Sequence, residues 1–179
     1  MYCDRSVVIC YDNRENSKEF CDIAAKILAH FGIKVYKFDS LRTTPQLSFY
    51  TQLLNCSAGV MITASHNPKE YNGYKVYNKY GGQLIPRDAK IVKDYINKVE
   101  NYLNLDLVYN PALINVLDDR IDEIYYDMVL KTSIKDHDFS NIKVVYSPSH
   151  GTGLVPVKTV LERKKANLIL VEEQSYPSK

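Results

Sequence analysis

The sequence predicts an α/β fold, with a mainly parallel, mixed sheet that carries helices on both faces and is followed by the beginning of a second, similar α/β domain. Short apolar runs alternate with amphipathic helical segments through the N-terminal part of the chain. A polar, mixed-charge stretch at 131–141 is typical of a linker, and the strand–helix–strand pattern starts again at Lys143. These observations separate one α/β domain from the start of another.

The first elements follow as strand, helix and strand. The apolar, β-rich run Val7–Tyr11 is typical of a strand covered on both faces. Asn16 and Glu19 have the spacing of a capping box, and Gly32 ends the helix before a strand at 33–38. The apolar residues at helical spacing in this helix are Phe20, Ile23, Ala24, Ile27, Leu28 and Phe31.

A second helix begins at Pro45, and a third strand is expected at 58–63. This β-α-β-α-β order predicts parallel pairing. Beyond a polar loop, the predicted elements are a strand at 74–77, a turn at 78–82, helices over 91–99 and 118–130, and then strand 143–146, helix 154–163 and strand 168–171. Two strands and one helix cannot close a core of their own. We therefore expect domain I at 1–134 and a truncated start of domain II at 135–179.

Composition excludes several classes of protein. The 179 residues are 45% apolar and carry a formal charge of +2, which gives no reason to expect nucleic acid or an anionic membrane as partner. No apolar run approaches the roughly 18 residues of a membrane-spanning helix. The four cysteines form no CxxC pair, which favours reduced thiols in a cytoplasmic protein and leaves disulfides as the alternative.

The chemistry is concentrated in the run TASHNP at 63–68, which leaves the carboxyl end of the third strand. In open α/β sheets ligands bind at that edge. Ser65 offers a hydroxyl, His66 an imidazole, and Lys75 a cation that a folded loop could bring near Ser65. The alternative is that this run holds only ordinary turn-forming residues. A Ser-His hydrolase is disfavoured, because no G-x-S-x-G motif is present.

The run TASHNP, followed by YNGYK, resembles the active-site serine loop of the α-D-phosphohexomutases, the phosphoglucomutase/phosphomannomutase superfamily. YDNR at 11–14 resembles the family's Tyr-Asp-Thr-Arg segment, and TTP at 43–45 resembles its Pro-Thr-Pro segment, each with one substitution. GGQ at 81–83 and SHGTG at 149–153 also fit, so the resemblance extends from Val7 to about Gln174.

The resemblance implies a role for each of five residues. Ser65 would carry the transferable phosphoryl group and contact a metal through its phosphate, and His66 would be the neighbouring active-site histidine. Lys75 would act in acid/base or charge-stabilising chemistry. Arg14 and Asn67 would bind substrate or phosphate. Simpler roles stay open at this point: Arg14 could pair with Asp12 or Glu15, Asp12 could cap a strand end, and His66 could bond the loop backbone. The loop around His150 is expected to be largely structural.

The implied reaction is reversible phosphoryl transfer between hexose 1-phosphate and hexose 6-phosphate, through a phosphoserine and a bisphosphate intermediate. Mg²⁺ and an activating bisphosphate such as glucose 1,6-bisphosphate are the implied cofactors, with hexose phosphates as partners and neither nucleic acid nor a membrane. The family's Thr-Ser-Gly-x-Arg-Gly, Asp-x-Asp-x-Asp-Arg and Arg-x-Ser-Gly-Thr motifs do not occur here. We therefore expect a fragment that is inactive alone and self-associates through the open domain II edge. The alternative is a non-catalytic phosphosugar-binding or interaction module.

Overall fold

The structure, a computed structural model, describes residues 5–100, 106–135 and 138–176. In chain order its elements are β1 (Ser6–Tyr11), α1 (Ser17–His30), β2 (Lys34–Lys37), α2 (Thr44–Leu53), β3 (Ala58–Ile62), β4 (Tyr74–Asn78), α3 (Pro86–Ile96), β5 (Ile114–Val116), α4 (Asp122–Lys131), β6 (Lys143–Tyr146), α5 (Leu154–Arg163) and β7 (Asn167–Leu170). The alternation of strands and helices predicted from the sequence is confirmed.

The larger sheet has five strands in the order β4-β3-β1-β2-β5. Strand β1 pairs in parallel with β2 and β3, β5 pairs in parallel with β2, and β4 runs antiparallel to β3. The predicted mainly parallel, mixed sheet is confirmed. Because β2 and β3 lie on opposite sides of β1, the direction of winding reverses there. The carboxyl ends of β1 and β3 therefore border the crevice in which this type of sheet binds ligands.

Helices α1 and α2 cover opposite faces of this sheet. All six residues of β1 are buried. Ile9 packs on the α1 side with Ala25, whereas Val8 packs on the α2 side with Leu47. A strand enclosed on both faces has no polar face to present, which explains its continuous apolar run.

The residues that α1 buries are mostly not its apolar residues at helical spacing. They are Ser17, Cys21, Ala24, Ala25 and Ala29, of which only Ala24 belongs to that set; Leu28 of the same set is half-buried and packs against the core. Phe20, Ile23, Ile27 and Phe31 are exposed. Small side chains and Leu28 lie where the helix meets the sheet, whereas these four larger apolar residues lie on the exposed side. The predicted capping box is also wrong, since Asn16 has a left-handed backbone and its side chain accepts no capping hydrogen bond.

Three elements depart from the predictions. Helix α3, predicted over 91–99, begins at Pro86 and ends at Ile96, and none of its residues is buried. Strand β5 was not predicted, because three residues are too few to show an alternating pattern. Helix α4 begins at Asp122, after a 3-10 turn at Asp119–Ile121, and not at Asp118.

The second unit consists of β6, α5 and β7, with the two strands paired in parallel. It approaches the first unit through α4 and α5, where Arg163 donates to Glu123 at 2.6 Å. The domain boundary near residue 134 stays a prediction. Within the described ranges, no helix has the length and apolarity needed to cross a membrane.

Candidate active site

A cleft of about 460 Å³ opens where β1 and β3 end. Residues that follow these two strands form one wall, and residues 149–152 of the second unit form the other. The two strand ends are joined by a hydrogen bond from the Asp12 N–H to the Ile62 carbonyl, at 3.2 Å. The cleft therefore lies at the sheet edge where the winding reverses.

Ser65 stands in the first wall and is exposed. Its φ of +61° is in the left-handed region, which a residue with a Cβ seldom adopts. The Ser65 N–H donates to Thr63 Oγ1 at 3.0 Å. This conformation turns the loop away from the strand direction and leaves the serine open to solvent and to a ligand.

The guanidinium of Arg14 donates hydrogen bonds to the backbone of the same loop. Its Nη1 donates to the carbonyl oxygens of Asn67 and Pro68, each at 2.7 Å, and of Tyr71 at 3.2 Å. Its Nη2 donates to the Ser65 carbonyl, and its Nε to Asp12 Oδ2 at 3.0 Å. Only 9% of the Arg14 side chain is exposed. Each of its three nitrogens therefore already has a protein acceptor.

The carboxylate of Asp12 is equally engaged. Its Oδ1 accepts from the Ser17 hydroxyl at 3.0 Å and from the Arg14 backbone N–H at 3.2 Å. Its Oδ2 accepts from Thr63 Oγ1 at 2.6 Å, as well as from the Arg14 guanidinium. The Asp12–Arg14 pair that the sequence left as an alternative is therefore present, and Asp12 links the ends of both strands.

The structure brings three of the five predicted site residues together. Ser65, Arg14 and Asn67 line the cleft, whereas His66 and Lys75 are not among its lining residues. His66 is exposed on the loop. Lys75 is half-buried in β4, opposite Met61, which does line the cleft.

Sequence reasoning treated the loop at 147–153 as largely structural, yet residues 149–152 form the second wall of the cleft. Asn13 donates its side-chain amide to the His150 carbonyl, which ties the two walls together. The His150 ring Nδ1 lies 2.6 Å from the Tyr176 carbonyl. The available signal was a glycine-rich loop between a strand and a helix, a frequent setting for anion binding.

The thiols behind the cleft are not alternative nucleophiles. Burial raises the pKa of the Cys10 thiol well above its ordinary value. Burial also raises the pKa of Cys21 to about 12. Both groups therefore stay protonated at neutral pH, and the thiolate is the nucleophilic form.

The described residues do not by themselves fit a magnesium site. Across those ranges, no three His, Cys, Asp or Glu side chains are grouped so that they could hold a metal ion. Mg²⁺ prefers several oxygen ligands. The oxygens of Asp12, the carboxylate on the cleft, are occupied by the hydrogen bonds from Arg14, Ser17 and Thr63.

The family model for phosphoglucomutase/phosphomannomutase, alpha/beta/alpha domain I, matches residues 2–103. The chain belongs to this family. The match contains both strand ends of the cleft and the whole Ser65 loop, and the resemblance stated from the TASHNP run is confirmed.

Phosphoglucomutases are among the relatives with similar sequences. That of Staphylococcus haemolyticus is 45% identical over 173 residues, which covers 94% of this chain and 32% of the relative. That of Staphylococcus saprophyticus is 40% identical over 182 residues, covering 98% and 33%. The chain thus spans about a third of the length of these relatives.

Solved structures show the same fold. The crystal structure of a phosphomannomutase from Thermus thermophilus has a TM-score of 0.77 and 28% identity, and covers 96% of this chain and 38% of that one. A phosphoglucomutase/phosphomannomutase family protein from Burkholderia thailandensis has a TM-score of 0.69 at 16% identity, covering 97% and 38%. This second likeness concerns the fold alone.

Proposed function

We propose that this phosphohexomutase-family chain supplies the phosphoserine wall of an enzyme that interconverts hexose 1-phosphate and hexose 6-phosphate. One observation carries the proposal: Ser65 is exposed in the cleft at the winding switch, within the residues that match the family model. The names of the relatives favour glucose phosphates as substrates.

In the proposed step, a hexose bisphosphate gives a phosphoryl group to Ser65. The bond from phosphorus to Ser65 Oγ forms while the bond from phosphorus to the sugar oxygen breaks. The serine proton passes to that sugar oxygen, which leaves as the hydroxyl of a hexose monophosphate. In the second transfer, the phosphoserine gives the group to a hexose monophosphate that carries its phosphate at the other position. The bond from phosphorus to Ser65 Oγ breaks while the bond to the free sugar oxygen forms, and the proton of that sugar hydroxyl passes to Ser65 Oγ, which regenerates the bisphosphate. Such transfers depend on positioning and on stabilisation of charge more than on covalent help from the protein.

His66 and Lys75 are proposed to exchange protons with the reacting oxygens or to stabilise negative charge. A shift of their side chains towards Ser65 on substrate binding is part of this proposal, because catalytic contacts are often loose in a ligand-free site. Asn67 lines the cleft and is proposed to contact the phosphate group. The guanidinium of Arg14 is already engaged with protein acceptors.

Mg²⁺ and glucose 1,6-bisphosphate are proposed as the cofactors of the complete enzyme. The protein ligands of the metal are proposed to lie outside the 179 residues, with the Ser65 phosphate as this chain's contribution. We also propose that turnover requires the longer protein and that the isolated chain self-associates through the edge of the β6–β7 sheet. The free thiols of Cys10, Cys21 and Cys56 suit the reducing cytoplasm, which is the proposed location.

A non-catalytic phosphosugar-binding module is the second candidate function. The absence of Lys75 from the residues that line the cleft favours it. Such a module would bind hexose phosphate and leave Ser65 unmodified.

A chimera separates the two candidates. These 179 residues would replace the matching third of the S. haemolyticus phosphoglucomutase, and glucose 1-phosphate conversion would be assayed with Mg²⁺ and glucose 1,6-bisphosphate. We expect an active chimera and a loss of at least about four orders of magnitude in kcat on Ser65→Ala, since no other group replaces the nucleophile. Ser140→Ala, at an exposed serine remote from the cleft, is the matched control. A folded but inactive chimera, or an active Ser65→Ala variant, would contradict the enzymatic proposal.

A further inference from the structure

Side chains hold both backbone polar groups of Ser65. Its N–H donates to Thr63 Oγ1 at 3.0 Å, and its carbonyl accepts from Arg14 Nη2. Asp12 joins these two partners, because it accepts from Thr63 Oγ1 at 2.6 Å and from Arg14 Nε at 3.0 Å. The result is a closed ring of hydrogen bonds that runs through Ser65, Thr63, Asp12 and Arg14, which we name the serine clamp.

The serine clamp holds a residue whose backbone conformation is energetically unfavourable. The left-handed conformation of Ser65 costs free energy in a residue with a Cβ, and such conformations persist only where the surroundings over-determine them. Thr63 is 6% exposed, and the side chains of Arg14 and Asp12 are 9% and 13% exposed. Hydrogen bonds shielded from water to this degree are stronger than those on an open surface.

Arg14 extends the clamp along the loop. Besides Ser65 it holds the carbonyl oxygens of Asn67, Pro68 and Tyr71. A planar guanidinium offers several donors in fixed directions, whereas a lysine ammonium is a compact charge on a flexible stem. Only the former can hold four carbonyls and a carboxylate at one time.

We propose that Asp12, Arg14 and Thr63 are positioning residues that fix the Ser65 backbone, and so aim its hydroxyl, without contacting the transferred phosphoryl group. This inference rests on the proposed function of Ser65. The positive charge of Arg14 is engaged by the loop and by Asp12. Its effect on the reaction is therefore indirect, through the position in which it holds Ser65.

Thr63→Val tests the clamp in the 179-residue chain, because valine keeps the shape of threonine and removes the hydroxyl that joins Ser65 to Asp12. Hydrogen–deuterium exchange of the segment 64–72 is the readout. We expect exchange at least about fivefold faster than in the unsubstituted chain, as follows from the loss of a buried hydrogen bond. Thr63→Ser should restore slow exchange. Thr51→Val is the matched control: it removes another buried hydroxyl, which donates to the Leu47 carbonyl at 2.8 Å, far from the loop.

The chimera with the staphylococcal enzyme then tests positioning. Thr63→Val should lower kcat about ten- to a hundredfold, with KM within about twofold, as expected for a misplaced reacting group. Thr63→Ser should recover most of kcat, and Thr51→Val should leave it unchanged. Arg14→Lys is the second variant should Thr63→Val fail to fold, with the same expected loss despite the retained charge.

The outcomes are distinguishable. Unchanged exchange in Thr63→Val, or faster exchange with unchanged kcat, would overturn the positioning role, as would a rise in KM at constant kcat. An inactive unsubstituted chimera would overturn the proposed function of Ser65, and the exchange data would still decide whether the clamp exists.

Discussion

The two α/β units of this chain are built from the same strand–helix–strand pattern but differ in how far they are buried. In the first unit β1 is buried along its whole length, with a helix on each face. In the second unit alternate strand residues remain open, with Val145 66% exposed and Ile169 44% exposed. The same local pattern therefore gives a closed core only where the sheet has enough strands and both faces are covered.

The two walls of the cleft differ in the same way as the two units. The Ser65 wall follows directly after β1 and β3, and the serine clamp joins it to the ends of these buried strands. The opposite wall at 149–152 belongs to a two-stranded unit and reaches the first through the Asn13–His150 contact. We infer that the Ser65 side of the cleft is the fixed side, against which the other wall is placed.

Truncation of a core side chain should have the largest effect on stability. Leu47 is fully buried against the α2 face of the sheet. We expect Leu47→Ala to lower the free energy of unfolding by about 2–5 kcal/mol, through lost burial and the cavity left behind. Urea unfolding followed by circular dichroism measures this.

The matched variant is Val145→Ala in the second unit, where the side chain is 66% exposed and we expect a change within about 0.5 kcal/mol. Equal losses of unfolding free energy in the two variants would contradict the difference in burial between the two units.

A second effect should appear at alkaline pH. The Cys21 thiol has an ordinary pKa of 9.0, and burial raises it to about 12 in the folded chain. Because the folded state holds the proton more tightly, this contribution to stability is full below about pH 9 and falls as the pH rises towards 12. The slope for one such group is at most about 1.4 kcal/mol per pH unit.

Cys21→Ala should flatten the decline between pH 9 and 12 by up to that slope, as measured by urea unfolding at each pH in the presence of reductant. Ala25→Gly, in the same helix and without a titrating group, should shift the whole curve and leave its slope unchanged. A Cys21→Ala curve parallel to that of the unsubstituted chain would contradict the assignment.

The sequence predicts the central strand and the serine loop because each has a local signature. The run Val7–Tyr11 is short, continuous and β-rich, as is typical of a strand enclosed on both sides, and the run TASHNP resembles the family's serine loop. The buried face of α1 does not follow from helical spacing alone, because small and large apolar residues occur on different sides of the helix. Which set meets the sheet depends on how closely the two pack, and no spacing rule contains that information.

The clamp could not be predicted from sequence for a related reason. Arg14 donates to backbone carbonyl oxygens of a loop 51 to 57 positions away. Because every residue has a backbone carbonyl, the sequence does not show which of them an arginine contacts. The pairing of Arg14 with Asp12, two positions apart, is within reach of sequence reasoning, which gives it as an alternative. The part played by the loop 149–152 depends on how the two units meet, which local patterns do not specify.

Phosphorylation of Ser65 is measured by intact mass spectrometry with peptide mapping. After incubation of the chimera with glucose 1,6-bisphosphate and Mg²⁺, we expect a gain of about 80 Da, one phosphoryl group. The gain should map to the peptide that contains Ser65 and be absent from Ser65→Ala. No gain in a folded chimera, or a gain that persists in Ser65→Ala, would contradict the proposed phosphorylation of Ser65.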